Sequence, residues 1–140
     1  MKQPDWSVPA IIFEAVDIIL GIAYIVLQVY YGVIYHVAAY RIGMNIAVAV
    51  LLYAGLTALA IWPERINGLS REVCVGSVRK LSIRMVRIEK CVFLLSLIIP
   101  CVCDVVGIHL RNLYDVAVIL VILAIAIFYE VRIVQILRKK

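Results

Sequence analysis

EAVDIILGIAYIVLQVYYGVIY, residues 14–35, is an apolar run crossed by a single polar stripe. Glu14, Asp17, Gly21, Tyr24, Gln28, Tyr31 and Tyr35 recur at alternating spacings of three and four, so they share one face of a helix. The residues between them are almost all Ile, Val, Leu and Ala. A helix in lipid does not turn two carboxylates and an amide toward hydrocarbon. The stripe is therefore expected to face other protein or water, with lipid against the remaining faces.

The rest of the chain has the same character. Its 140 residues are 66% hydrophobic and 16% charged, with a mean hydropathy of +1.07. Soluble domains average roughly 45–50% apolar and about 25% charged. A soluble core of this size does not hide so much apolar surface. The pattern predicts an all-α fold, an integral membrane four-helix bundle forming one membrane domain over residues 1–140. The expected spans are 8–35, 43–62, 91–110 and 113–137, joined after the second by a basic linker, 63–90. These runs are continuous, without the apolar–polar alternation of barrel strands.

Charge orients the spans. With four crossings, twelve of the 14 Lys and Arg residues fall on the side of the termini and the middle linker. Only Arg41 and Arg111 fall on the other. The positive-inside rule then predicts a multi-pass protein of a plasma or inner membrane, both termini cytoplasmic. Trp6 and Trp62 fall at the expected inner interface, and Tyr30, Tyr31, Tyr35, Tyr40 and Tyr114 at or near the outer one. The first span reads as a retained signal-anchor, because it is long, carries Glu14 and Asp17, and shows no clear cleavage site. The net charge of +5 comes without a phosphate-binding Gly loop or an RNA-binding aromatic motif, so no nucleic-acid partner is expected.

The linker reads as more than a connector. Pro63 stops the second span, Asn67-Gly68 suits a turn, and Ser70 suits a cap. Cys74, Val78, Leu81, Met85, Ile88 and Val92 then form one apolar face. Lys80, Arg84 and Arg87 flank it. An amphipathic cytoplasmic helix is expected here, lying on anionic headgroups and bending or continuing into the third span. The series Arg84, Arg87, Lys90 precedes an apolar run rather than crossing one, and reads as an orientation anchor.

Other residues carry two readings each. Glu14 and Asp17, three apart, suit a cation or proton site, against a shallow pair meeting Arg65, Arg71 or water. Asp104, near Pro100 and Gly107, suits an ion path, against a buried acid held by Asn45, Tyr53, Thr57 or Arg111. Cys101 and Cys103 point about 200° apart on a helix and read as small fillers rather than metal ligands. His36 and His109 read as solvated interfacial residues, and Ala54 and Ala58 as a close-packing pair. No nucleophile elbow and no helical metal-ligand pair is present. No enzymatic activity, metal or cofactor is expected.

Two functions fit these features. The first is a non-enzymatic accessory, regulatory or self-assembling subunit, partnered by a second copy or another membrane protein. The second is a small ion- or proton-coupled channel or transporter. It would work as an oligomer, with Glu14, Asp17 and Asp104 on its path and Gly21, Tyr24, Gln28 and Tyr31 completing the stripe.

Overall fold

The computed structural model describes residues 7–66, 68–110 and 112–139. Trp6, Asn67 and Arg111, each given a role above, lie outside the described residues, as do Lys2 and Lys140. The protein is all-α over the described residues. α1 spans Val8–Ile34, α2 Ala39–Ile61, α3 Gly76–Val106 and α4 Leu113–Arg138, with a short 3-10 turn at Pro63–Arg65. Three of these helices, α1, α2 and α4, are long and apolar enough to cross a membrane. Their outer faces carry exposed Ile, Val and Leu, among them Val8, Leu51 and Leu113. In water such surface would be a liability; in a bilayer it is the solvated surface.

α1 starts where Pro9 is tolerated, in the first turn, and runs without a breaker. α2 starts at Ala39, earlier than the apolar run suggested, because Tyr40 and Arg41 do not interrupt a helix. The two are joined by residues 35–38, in which His36 has φ +50°. Near this turn the helices approach closely. The Ile42 side chain fills the space that a Cβ on Gly32 would occupy.

The amphipathic stretch of the linker is not a separate helix. It is the first half of α3, a continuous helix of 31 residues. Nothing between Gly76 and Ile99 breaks the pattern, so the backbone carries straight through Glu89 and Lys90. α3 also ends before residue 110. Gly107 adopts φ +82°, its N–H bonds Asp104 O at 3.1 Å, and Ile108 N bonds Cys103 O at 2.8 Å. These paired bonds form a Schellman stop, which favours glycine at the left-handed position. From Cys91 to this stop α3 has fewer than the roughly 20 residues of a standard span.

α3 is the centre of the molecule. It packs against α1, α2 and α4, and α1 also packs against α2. Among the described residues the α4 backbone approaches only α3. The buried line of α3 runs through Val78, Ser82, Val86, Lys90 and Leu94, with Ile83 and Met85 beside it. Of the apolar face expected in the linker, Cys74, Val78 and Met85 are buried, whereas Leu81, Ile88 and Val92 are half-buried. The line is rotated because two polar residues belong to it. Ser82 is satisfied within the helix, donating to Val78 O at 3.0 Å, and Lys90 is satisfied by other helices.

Candidate functional site

The stripe on α1 turns toward α3 and α2. Asp17, Tyr24 and Gln28 are buried, Glu14, Gly21 and Tyr31 half-buried, and Tyr35 exposed. Against its first half lies Lys90, only 2% exposed. The Lys90 ammonium donates to both Glu14 oxygens, Oε1 at 3.0 Å and Oε2 at 2.9 Å. It also reaches Thr57 Oγ1 at 3.5 Å and lies 3.7 Å from Asp17 Oδ2. The Tyr53 hydroxyl donates to Glu14 Oε1 at 2.9 Å, and the Lys90 Nζ stands 4.5 Å from the centre of the Tyr53 ring. Helical spacing makes this possible: Glu14 and Asp17 are three apart on α1, Tyr53 and Thr57 four apart on α2. One lysine on α3 therefore ties three helices together.

The cluster is unevenly satisfied. Glu14 accepts from Lys90 and Tyr53, but Asp17 is wholly buried and neither of its carboxylate oxygens accepts a hydrogen bond. Its support is electrostatic, from Lys90. Two carboxylates thus share one ammonium where dielectric screening is weak. Glu14 and Asp17 do not rely on Arg65 or Arg71. Arg65 stacks over Trp62 at 5.6 Å, and Arg71 lies 3.5 Å from Glu64.

Lys90 is not foreseen from the sequence, where it reads as one more of the basic charges at the end of the linker. A signal was present. Lys90 continues the four-residue spacing of Val78, Ser82 and Val86 and precedes Leu94, so it sits on the face that packs.

A second polar group lies at the distal end, where α1 and α3 end and α2 and α4 begin. Asn45 Nδ2 on α2 donates to Gln28 Oε1 at 3.1 Å, and Gln28 Nε2 meets Cys101 Sγ on α3 at 3.4 Å. The Tyr31 hydroxyl donates to Cys101 O at 2.7 Å. Pro100 has no N–H to offer the Ser96 carbonyl one turn earlier. Tyr114 on α4 supplies the missing donor, its hydroxyl reaching Ser96 O at 2.8 Å. These contacts border a cavity of about 610 Å³ to which all four helices contribute.

The structure separates the three acids singled out above. Asp104 is exposed in the last turn of α3, with His109 Nδ1 3.6 Å from its Oδ1. Along the α3 axis it lies about 21 Å from Lys90 at 1.5 Å per residue. It is not the deeply buried acid expected, because the Gly107 stop brings the helix end close to it. Asn45 serves Gln28, and Tyr53 and Thr57 serve the Lys90 cluster.

At the other end of the molecule Lys80 and Arg84 are exposed and Arg87 is half-buried. Arg84 and Arg87 border a cavity of about 230 Å³ with Ser7, Pro9, Ala10 and Phe13. The four cysteines are free thiols. Among the described residues no three His, Cys, Asp or Glu side chains gather as a metal site. The chain matches no family model, no curated protein and no solved structure.

Proposed function

We propose that the chain is a non-enzymatic accessory or regulatory subunit of a membrane assembly, crossing the bilayer four times with α3 as the third crossing. In this reading it forms a four-helix membrane bundle. Both termini and residues 63–90 are cytoplasmic, and Lys80, Arg84 and Arg87 meet anionic headgroups. The observation that carries the proposal is the closure of the Lys90 cluster. Glu14, half-buried, is held by both Lys90 and Tyr53. The first half of the stripe thus serves to join helices within one chain. Outside this interior, α2 and α4 present long apolar faces, and among the described residues the α4 backbone packs on α3 alone. Such faces suit a second copy or another membrane protein.

One observation favours a second reading, an oligomeric ion- or proton-coupled channel or transporter. Asp17 is a buried carboxylate without a hydrogen bond, and an intramembrane acid of this kind suits a proton carrier. Asp17 and Asp104 would then belong to separate stages of a path.

The test is reconstitution of the full chain in vesicles under imposed proton and cation gradients, with its complexes isolated from native membranes in mild detergent. The subunit reading expects a defined complex and no flux above empty vesicles. Flux abolished by Asp17→Asn in a folded protein overturns it in favour of the second reading.

A further inference from the structure

We infer that the distal cavity binds a small organic cation, an amine or quaternary ammonium with an apolar body. This goes beyond the subunit reading and does not depend on it. A volume of about 610 Å³ falls within the range of roughly 300–1,000 Å³ typical of small-molecule sites. It is far more than a bare metal ion needs.

The chemistry of the wall sets the sign of the ligand. Asp104 and Asp115 both border the cavity, and no Lys or Arg does so among the described residues. Asp115 makes no ion pair or hydrogen bond through its side chain among the described residues. Among the described residues Asp104 pairs with His109, whose side chain is 89% exposed. An anion would meet two carboxylates here, whereas a cation meets its counter-charge.

Tyrosine rings add to this. Tyr24, Tyr31 and Tyr114 line the same space, and aromatic faces attract ammonium groups. The rings of Tyr31 and Tyr114 are positioned in advance, because their hydroxyls are tied to the carbonyls of Cys101 and Ser96. Tyr24 differs. It is 5% exposed, yet its hydroxyl has no hydrogen-bond partner among the described residues. Tyr24 borders the cavity, so this hydroxyl is available to a polar group of a ligand. The remaining wall is apolar, with Ile42, Leu97 and Val118 suited to a hydrocarbon body.

The experiment uses the full chain in neutral-lipid nanodiscs, with benzyltrimethylammonium as probe and 3-phenylpropionate as an anion of similar size. Titration calorimetry on wild type should show saturable binding of the cation and none of the anion. The double substitution Asp104→Asn/Asp115→Asn should weaken cation binding by at least roughly tenfold, with the unfolding temperature unchanged. A readout on wild type localises the site without any substitution. Cys101 borders the cavity whereas Cys91 does not, so the probe should slow alkylation of Cys101 and leave Cys91 unaffected, as read by mass spectrometry. The inference is overturned by absence of saturable binding at millimolar cation, by equal binding of the anion, or by unchanged affinity in the folded double variant. Binding that leaves Cys101 alkylation unchanged also overturns this location.

Discussion

Lys90 sits where a hydrophobic residue would be expected, and the carboxylates around it explain why it must be a cation. Removing one partner of a buried ionic cluster leaves charge stranded, which is worse than removing the whole cluster. Lys90→Met is therefore expected to destabilise the protein by about 3–5 kcal/mol, because Glu14 and Asp17 lose the counter-charge they share. The triple replacement Lys90→Met, Glu14→Gln, Asp17→Asn should recover most of that loss. Thermal unfolding in detergent measures both, and a single variant as stable as wild type would show that the cluster is solvated. The stripe on α1 was legible because seven polar residues keep a strict helical spacing in an apolar run. Its partner was harder to read: Lys90 keeps the four-residue spacing of Val78, Ser82 and Val86, but it stands at the edge of a basic segment, where a lysine equally suits water.

At the scale of the element, α3 shows how a local defect fixes a tertiary contact. Pro100 frees the Ser96 carbonyl, and the Tyr114 hydroxyl of α4 takes it. The α3–α4 pair thus has a directional bond besides its apolar packing. Tyr114→Phe should cost about 1–2 kcal/mol, since a half-buried carbonyl loses its donor. In a Pro100→Ala background residue 100 regains its N–H and can donate to Ser96 O, so the same substitution should cost almost nothing. The coupling between the two sites in a double-mutant cycle is the measurement; simple additivity would remove the argument. Gly107→Ala should lower stability by roughly 1–2 kcal/mol, the cost of a Cβ in the left-handed region. This helix end was legible in principle. Gly107 followed by Ile108 fits a glycine stop with an apolar residue after it, but the continuing apolar letters Ile108 and Leu110 drew the expected span past it. The merging of the linker with the third span was harder to read, because a basic amphipathic helix and an apolar one share the same helical period.

At the scale of the molecule, the buried ammonium alters the argument for orientation without reversing it. Positive residues orient a membrane protein only where they flank a span and stay in contact with water and headgroups. Lys90 is enclosed by α1 and α2, so it does not count toward that asymmetry. The remaining bias rests on exposed groups such as Arg65, Arg71, Lys80, Arg84, Arg132, Arg138 and Lys139, all at the end opposite the distal cavity. Against them stands Arg41, exposed at the distal end, together with Arg111 from the sequence. With both termini proposed as cytoplasmic, this bias would aim the distal cavity outward. In a background with the four native cysteines replaced, a membrane-impermeant thiol reagent added outside should label Tyr40→Cys and Asn112→Cys and spare Gly68→Cys until the membrane is opened. Labelling of Gly68→Cys alone from outside would invert the molecule, turn the cavity toward the cytoplasm, and place Arg84 and Arg87 against the outer leaflet. Labelling of Gly68→Cys and Asn112→Cys from opposite sides means that α3 crosses the bilayer; labelling from the same side means that it does not. The same three probes thus decide both the orientation and whether the short apolar half of α3, joined to a charged first half, completes a crossing.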